Sequence, residues 1–273
     1  IAAVQAAPTA IDAAWLEANA RALIPAFAGF SISDFVMDIP NPDAKDERIK
    51  ANVGAFDLSL ADYLHGIPTN FSTTGNKIVF KLPDQSSDEQ IQQLIDLGIG
   101  SLDFGFAVKA AWDEAANAIN IEDVSIDGVD LARVGLSGTI GNATEALFGI
   151  DPDMALAAAM GVVIKNLKVD VTDAGLSDII LARVAADQGS DATTMRPIFG
   201  GLAEGTILGM LAGAAEAQKV GKAVNAFIAG DAKALTIEMT AKDPAGLGLA
   251  DFMAAEDDPT LLIGKTNITA TAK

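Results

Sequence analysis

The feature that most constrains the fold is an alternation of apolar and mostly polar or small residues between Ser101 and Trp112. In a β-strand, successive side chains point to opposite faces of the sheet, so a period of two indicates one apolar face. The run therefore predicts a strand whose apolar face carries every second residue, namely Leu102, Phe104, Phe106, Val108, Ala110 and Trp112.

Two more strands follow this run directly. A polar turn at 113–117 leads to Ile119–Ile126, and a second turn at Asp127-Gly128 leads to an alternating run that ends at Ile140. Short turns between alternating runs are typical of antiparallel neighbours. The segment 101–140 is thus predicted to form a three-stranded meander.

The rest of the chain predicts more strands and a smaller number of helices. Strand patterns occur at 30–39, 49–60, 78–82, 162–171, 235–239 and 265–272. Helical patterns occur at 9–22, 87–97, 151–160, 177–189 and 197–229. Because the strands are mostly consecutive, we predict an α+β fold with a long curved antiparallel sheet of eight or nine strands and helices packed on one face.

The alternation changes phase within two of these strands, which predicts β-bulges that bend the sheet. One change falls between Ile32 and Phe35, and the other falls between Val53 and Phe56. The segment 63–69, which contains His65, is predicted to be a loop. No low-complexity linker divides the chain, so we expect a single domain over 1–273, with an alternative division into halves 1–145 and 146–273 that share one sheet.

Composition excludes several classes of function. The formal net charge of −19 repels phosphate backbones, so nucleic acid is not an expected partner. The chain has no Cys and one histidine, His65, which excludes thiolate chemistry and any site built from several histidines. Asp123, Ser125 and Asp127 are spaced like the start of a calcium loop, but Val134 stands where a bidentate Glu is required. We predict no enzyme, no metal and no cofactor.

The segment Ile198–Ala215 is the most apolar part of the chain. Ile207 and Leu211 lie on one predicted helix face, and Gly209 and Gly213 begin a second stripe spaced by four. This spacing fits a helix buried in a soluble protein, and it also fits a helix that contacts a membrane or a partner helix. Glu204 within the segment favours the buried soluble helix.

Three patterns resemble secreted alphaproteobacterial proteins of unknown function, and more loosely the YdgA and AsmA-like periplasmic families. They are Phe104–Leu136 with Trp112 before an acidic turn, Leu167–Gly189 with Asp173-Ala174-Gly175-Leu176 between strand and helix, and Ala226–Asp231 leading into Leu235-Thr236-Ile237. The resemblance implies a periplasmic or envelope-associated protein with a curved sheet and an apolar groove. It carries over no functional residue.

We therefore expect a non-enzymatic protein of the periplasm or cell envelope. It is expected to be periplasmic or secreted once its signal peptide has been removed. Its expected ligand is a hydrophobic molecule, with a lipid as the first candidate, held between the curved sheet and its helices. The expected lining residues are Leu102, Phe104, Phe106, Val108 and Trp112. The alternative is a structural or assembly component of the envelope or cell surface that joins protein partners through its acidic surface or through an exposed strand edge.

Overall fold

A computed structural model describes residues 27–40, 48–211 and 216–273 of the chain. The predicted helix at 9–22 lies outside these residues, as do Gly213 and the turn residues 41–47. The described residues form an α+β structure built on one long, curved antiparallel sheet, which confirms the predicted fold class.

Ten strands make up this sheet, in the order β1-β2-β3-β4-β5-β6-β7-β8-β10, and β9 pairs with β7. The sheet is continuous across the predicted division at 145. The strands are β1 Gly29–Pro40, β2 Arg48–Leu64, β3 Ile67–Lys81, β4 Ser101–Asp113, β5 Ala118–Gly128, β6 Ala132–Gly141, β7 Val163–Asp173, β8 Ala234–Ala241, β9 Leu247–Gly248 and β10 Thr266–Ala272.

Seven α-helices are present in the described part of the chain, together with one 3-10 helix, Glu145–Phe148. The helical segment predicted over 197–229 is present as two helices, because α4 ends at Met210 and α5 begins at Ala217. The helices are α1 Glu89–Asp96, α2 Pro152–Met160, α3 Leu176–Asp187, α4 Ala192–Met210, α5 Ala217–Ala229, α6 Leu249–Asp257 and α7 Pro259–Gly264.

The predicted loop at 63–69 is wrong, because β2 and β3 are joined by the two-residue turn His65-Gly66. Both turn residues have positive φ, 50° and 80°, as tight hairpin turns require. The sequence signal failed here because the first half of β3 carries polar residues on both faces, so no alternation is visible.

Of the two bulges predicted from phase shifts, the one between Ile32 and Phe35 coincides with an irregular residue, Asp34. The one predicted between Val53 and Phe56 is wrong, since β2 pairs with both neighbours without a register shift and the irregularity lies opposite, in β3. Asp34 in β1 and Lys77 in β3 both have φ of 51°, and the register between β3 and β4 shifts between Gly75 and Ile78. Directly paired residues share a face. Ile32 is linked through successive pairs to Phe106, and Phe35 is linked in the same way to Phe104. The irregularities therefore keep the apolar residues on one face along each strand.

Antiparallel pairing sorts the connections to two ends of the sheet. At the end where β4 finishes, here called the Trp112 end, lie the His65-Gly66 turn, the β6–β7 connection with α2, and the β8–β10 connection. The β7–β8 connection, which contains α3, α4 and α5, leaves the sheet at the opposite end.

The buried core lies where α5 packs on β8 and β10. Its buried members are Leu211, Ala217 and Val220, and partly buried residues of the helices and of β10 pack against them, namely Ile207, Val224, Ile263, Ile268 and Ala270. Among the described residues, the other helices pack less extensively on the sheet, and no large side chain is completely buried.

Candidate functional site

Two adjacent rows of directly paired residues cross the whole sheet from β1 to β10, and we call them the apolar rows. They contain one polar side chain, Thr73. The first row is Ile32, Phe56, Gly75, Phe106, Ile126, Val134, Val171, Leu235 and Ala272. The second row is Phe30, Leu58, Thr73, Val108, Val124, Leu136, Val169, Ile237 and Ala270.

The residues that lie between the two apolar rows point to the opposite face of the sheet, and their side chains are polar or small. They are Ser31, Asp57, Thr74, Ala107, Ser125, Gly135, Asp170, Thr236 and Thr271. Thr236 Oγ1 donates a hydrogen bond of 2.6 Å to Asp170. Partial burial raises the pKa of Asp170, but the bonds from Thr236 and Lys168 and the nearby positive charges outweigh it, so the pKa lies below its ordinary value.

The apolar rows are accessible over much of their length. Phe30 and Val134 are each 43% exposed and Ile126 is 53% exposed, and Ile32 and Val124 also count as exposed. The most extensive helix–sheet packing joins α5 to β10 and β8, at one end of the rows. A large contiguous apolar surface that is exposed in this way typically marks a site where a ligand or partner binds.

Phenylalanine rings line the part of the rows nearest β1. The ring of Phe56 lies 5.5 Å from Phe30 and 6.3 Å from Phe106, measured between centroids. Phe106 reaches across β3 because Gly75 has no side chain there. A Cβ on Gly75 would lie 2.4 Å from Phe106 Cε1 and 2.8 Å from Ile78 Cδ1. Gly75 is a residue that the sequence analysis missed.

The predicted lining residues Leu102, Phe104, Phe106, Val108 and Trp112 all lie on this face and are half-buried. Phe106 and Val108 belong to the apolar rows, and Leu102 and Phe104 continue the face toward the opposite end. Phe104 stacks on Phe80 of β3 with a centroid distance of 6.0 Å.

Trp112 ends the apolar face on β4 and anchors the β6–β7 connection. Its indole Nε1 donates a hydrogen bond of 2.6 Å to the carbonyl of Ala143, and its ring lies 4.9 Å from that of Phe148. The carbonyl oxygen of Phe148 in turn lies 3.2 Å from His65 Nδ1. His65 and Trp112 thus hold the 3-10 helix against the Trp112 end.

The predicted helix residues separate into buried and exposed positions. Leu211 belongs to the buried core and Ile207 packs against it, whereas Gly209 is exposed, with no other part of the protein beyond its own helix backbone within 4 Å of the place its Cβ would occupy. The close approaches of α4 to α5 occur instead at Gly200, opposite Asn225, and at Gly221, opposite Glu204. Among the described helices, none has the length and apolar character needed to cross a bilayer.

Asp173, at the end of β7, is a buried carboxylate that the sequence analysis did not single out. It accepts hydrogen bonds from Ser177 Oγ at 2.6 Å, from the Ser177 amide at 3.0 Å and from Lys233 Nζ at 3.0 Å. Burial raises its pKa, but these bonds outweigh burial and hold the pKa well below the ordinary value. The bonds tie β7, α3 and the start of β8 together, so the Ser, Asp and Lys form a structural link.

The calcium-like residues lie along strand β5. Arg133 Nη2 lies 3.5 Å from Asp123 Oδ1, and Arg133 Nη1 lies 3.9 Å from Asp127 Oδ2. Ser125 lies between them on the polar face of the sheet and is buried. Within the ranges that the structure describes, no three acidic or histidine side chains converge as metal ligands would.

Comparison with protein families matches residues 125–273 to a family described as "Uncharacterized protein". The matched region begins in β5 and contains β6 to β10 with helices α2 to α7. It covers more than half of the 273 residues. A search of curated proteins found no match.

Proposed function

We propose that this chain, which belongs to the uncharacterized protein family matched over residues 125–273, binds a lipid or a similar hydrophobic molecule along its apolar rows. The observation that carries the proposal is the exposure of these rows in a sheet whose other face is polar. The protein acts by binding and catalyses no reaction.

The energetics of the rows support an acyl chain as the ligand. Burying one methylene group is worth about 0.8 kcal/mol, and a chain lying on an open face buries roughly half of its surface. A gain of about 0.4 kcal/mol per methylene corresponds to about a twofold gain in affinity. Affinity for fatty acids should therefore rise about twofold with each added methylene.

The test uses protein purified without detergent, with native mass spectrometry for bound lipid and fluorescence titration with fatty acids of increasing length. Ile126 and Val129 provide a matched pair, since they are 53% and 54% exposed but only Ile126 belongs to the apolar rows. Ile126→Asp should weaken uptake about tenfold or more, because it places a charge on the binding face. Val129→Asp, in the β5–β6 turn, should leave uptake within about twofold.

Three results would count against lipid binding. The first is that only lipid-free protein is recovered and that it takes up no fatty acid. The second is an affinity that does not change with chain length. The third is an equal loss of fatty-acid uptake in Ile126→Asp and Val129→Asp.

A second candidate function is assembly with protein partners, and it is favoured by strand β10. This strand forms one edge of the sheet, and no charged residue or proline occurs between Thr266 and Ala272 to discourage pairing. Analytical ultracentrifugation across a concentration series tests self-assembly. A species that stays monomeric at every concentration argues against assembly of this chain with itself.

The periplasmic or secreted location and the likeness to YdgA and AsmA-like envelope families remain predictions from the sequence. An envelope location fits a lipid ligand. Fractionation of cells that express the full-length protein, followed by immunodetection in the periplasmic and membrane fractions, tests it directly.

A further inference from the structure

Helix α2 displays large apolar side chains on the surface. Met154, Leu156 and Met160 are each at least 60% exposed, and Ile150 just before the helix is exposed as well. Only Ala155 and Ala158 of this helix are half-buried, so its contact with the rest of the protein runs along a narrow alanine strip. The helix therefore holds its larger side chains away from the body of the protein.

From Met154 onward, the sequence around these side chains is free of charge. The eleven residues from Met154 to Ile164 include no Asp, Glu, Lys or Arg, in a chain where 20% of the residues are charged. The two acids at the start of the helix are Asp151 and Asp153. Asp151 serves as the N-cap, since its side chain accepts hydrogen bonds from the amides of Asp153 and Met154 at 2.9 and 3.2 Å.

The position of α2 links it to the apolar rows. The 3-10 helix immediately before it packs Phe148 on Trp112, whose side chain lies on the same face as Phe106 and Val108. Helix α2 thus stands at the Trp112 end, where the apolar face reaches the edge of the sheet.

From these observations we infer that α2 docks the Trp112 end onto the surface of a phospholipid bilayer, with Leu156 and Met160 inserted below the headgroups. The side chains of Leu156 and Met160 lie one helical turn apart and therefore project together. This inference rests on the proposed lipid binding, because the purpose of docking would be to let a lipid pass between the bilayer and the apolar rows.

The small size of the patch favours a bilayer over a protein partner. A stable protein interface buries about 800 Å² on each side and involves roughly 20 to 30 residues of each partner. A helix of nine residues with four large apolar side chains around it falls well short of that. Binding to the interfacial region of a membrane has no such minimum size, because its strength scales with the apolar area that is buried.

The net charge of the protein determines which lipid headgroups it can approach. At −19 the protein is repelled by anionic lipids, so docking through an uncharged helix should favour zwitterionic phosphatidylcholine. Raising the salt concentration screens this repulsion, and binding to anionic vesicles should then approach binding to zwitterionic ones.

The experiment is vesicle flotation of the full chain with phosphatidylcholine vesicles and with phosphatidylglycerol vesicles. Leu156 and Leu202 form a matched pair, since each is a leucine on a helix and is 62% exposed. Leu202 belongs to α4 in the connection at the opposite end of the sheet. Leu156→Asp should reduce the floated fraction about tenfold, and Leu202→Asp should leave it within twofold.

A conservative variant separates insertion from misfolding. Leu156→Trp should float as well as the wild type, and its fluorescence should shift to the blue with phosphatidylcholine vesicles as the indole enters the interface. Docking is overturned if the wild type does not float, if Leu156→Asp floats like the wild type, or if Leu202→Asp loses as much.

The failure of docking is distinguishable from the failure of lipid binding. Leu156→Asp should still take up monomeric fatty acids in solution with wild-type affinity, and Ile126→Asp should still float with vesicles. If the wild type takes up fatty acid but does not float, docking fails and lipid binding stands. If it floats but takes up no fatty acid, lipid binding fails and docking stands.

Discussion

Removal of the Asp173 carboxylate should destabilise the link between β7, α3 and β8. Asp173→Ala deletes the acceptor of two bonds from Ser177 and of one from Lys233, and it also deletes the acceptor of a longer bond from the Gly175 amide, at 3.3 Å. The two Ser177 bonds are worth roughly 1 to 1.5 kcal/mol each at a partly buried site. Lys233 is 57% exposed, so its ion pair adds under about 1 kcal/mol. The free energy of unfolding should fall by about 3 kcal/mol.

Thermal unfolding followed by circular dichroism measures this effect. In a chain of this length, about 3 kcal/mol corresponds to a decrease in Tm of roughly 6 to 12 °C. Lys233→Ala is the matched control, because it removes one exposed partner and leaves the Ser177 bonds intact. Its Tm should fall by no more than about 4 °C.

The pH dependence of the same difference provides a second check. Because the bonds hold the pKa of Asp173 below the ordinary value of 3.8, its contribution is fully present above that pH and is lost as the pH falls further. The gap in Tm between wild type and Asp173→Ala should be constant from neutral pH down to about 5 and should narrow below about 4. A gap under about 2 °C at neutral pH, or an equal loss in Lys233→Ala, would refute the reasoning.

Two more substitutions test contacts of the apolar face. Trp112→Phe removes the hydrogen bond to the Ala143 carbonyl while keeping a ring against Phe148, so chemical denaturation should show a loss of about 1 kcal/mol, and an unchanged midpoint would contradict the bond. Gly75→Val places side-chain atoms where the ring of Phe106 lies, so we expect a loss of roughly 1 to 3 kcal/mol and altered fatty-acid uptake. A Gly75→Val protein with wild-type stability and uptake would show that the ring does not need the space.

The sequence predicted the meander best because one face of β4 is apolar without interruption. The alternation of apolar with polar or small residues can be followed residue by residue along β4, and the turns after β4 and β5 are short and polar. The first half of β3 escaped prediction because Thr69, Ser72 and Thr73 make both faces polar there. That strand is held by its two neighbours in the sheet, and such pairing leaves no trace in local residue patterns.

The candidate site was predicted in part, since Phe106 and Val108 of the five expected lining residues fall in the apolar rows. The other members of the rows come from strands up to 240 positions apart in the chain, and only the register places Phe30 in line with Ala270. The sequence contains the alternation of each strand but not the offset between strands. Gly75 could be recognised only once Phe106 was seen to lie across it.

The chemical character of the apolar rows narrows the class of molecule that can cover them. Protein interfaces draw much of their binding energy from Tyr, Trp and Arg, which combine apolar contact with hydrogen bonds. Among the eighteen positions of the rows, Thr73 is the one hydrogen-bonding side chain, and the backbone groups of the strands between β1 and β10 are paired within the sheet. An extended protein segment lying there would bury backbone polar groups without partners, at a cost of about 1 to 3 kcal/mol each, whereas a helix such as α5 pairs its own backbone groups. An acyl chain has no such groups along its length, and its headgroup can remain in water beyond the edge of the sheet.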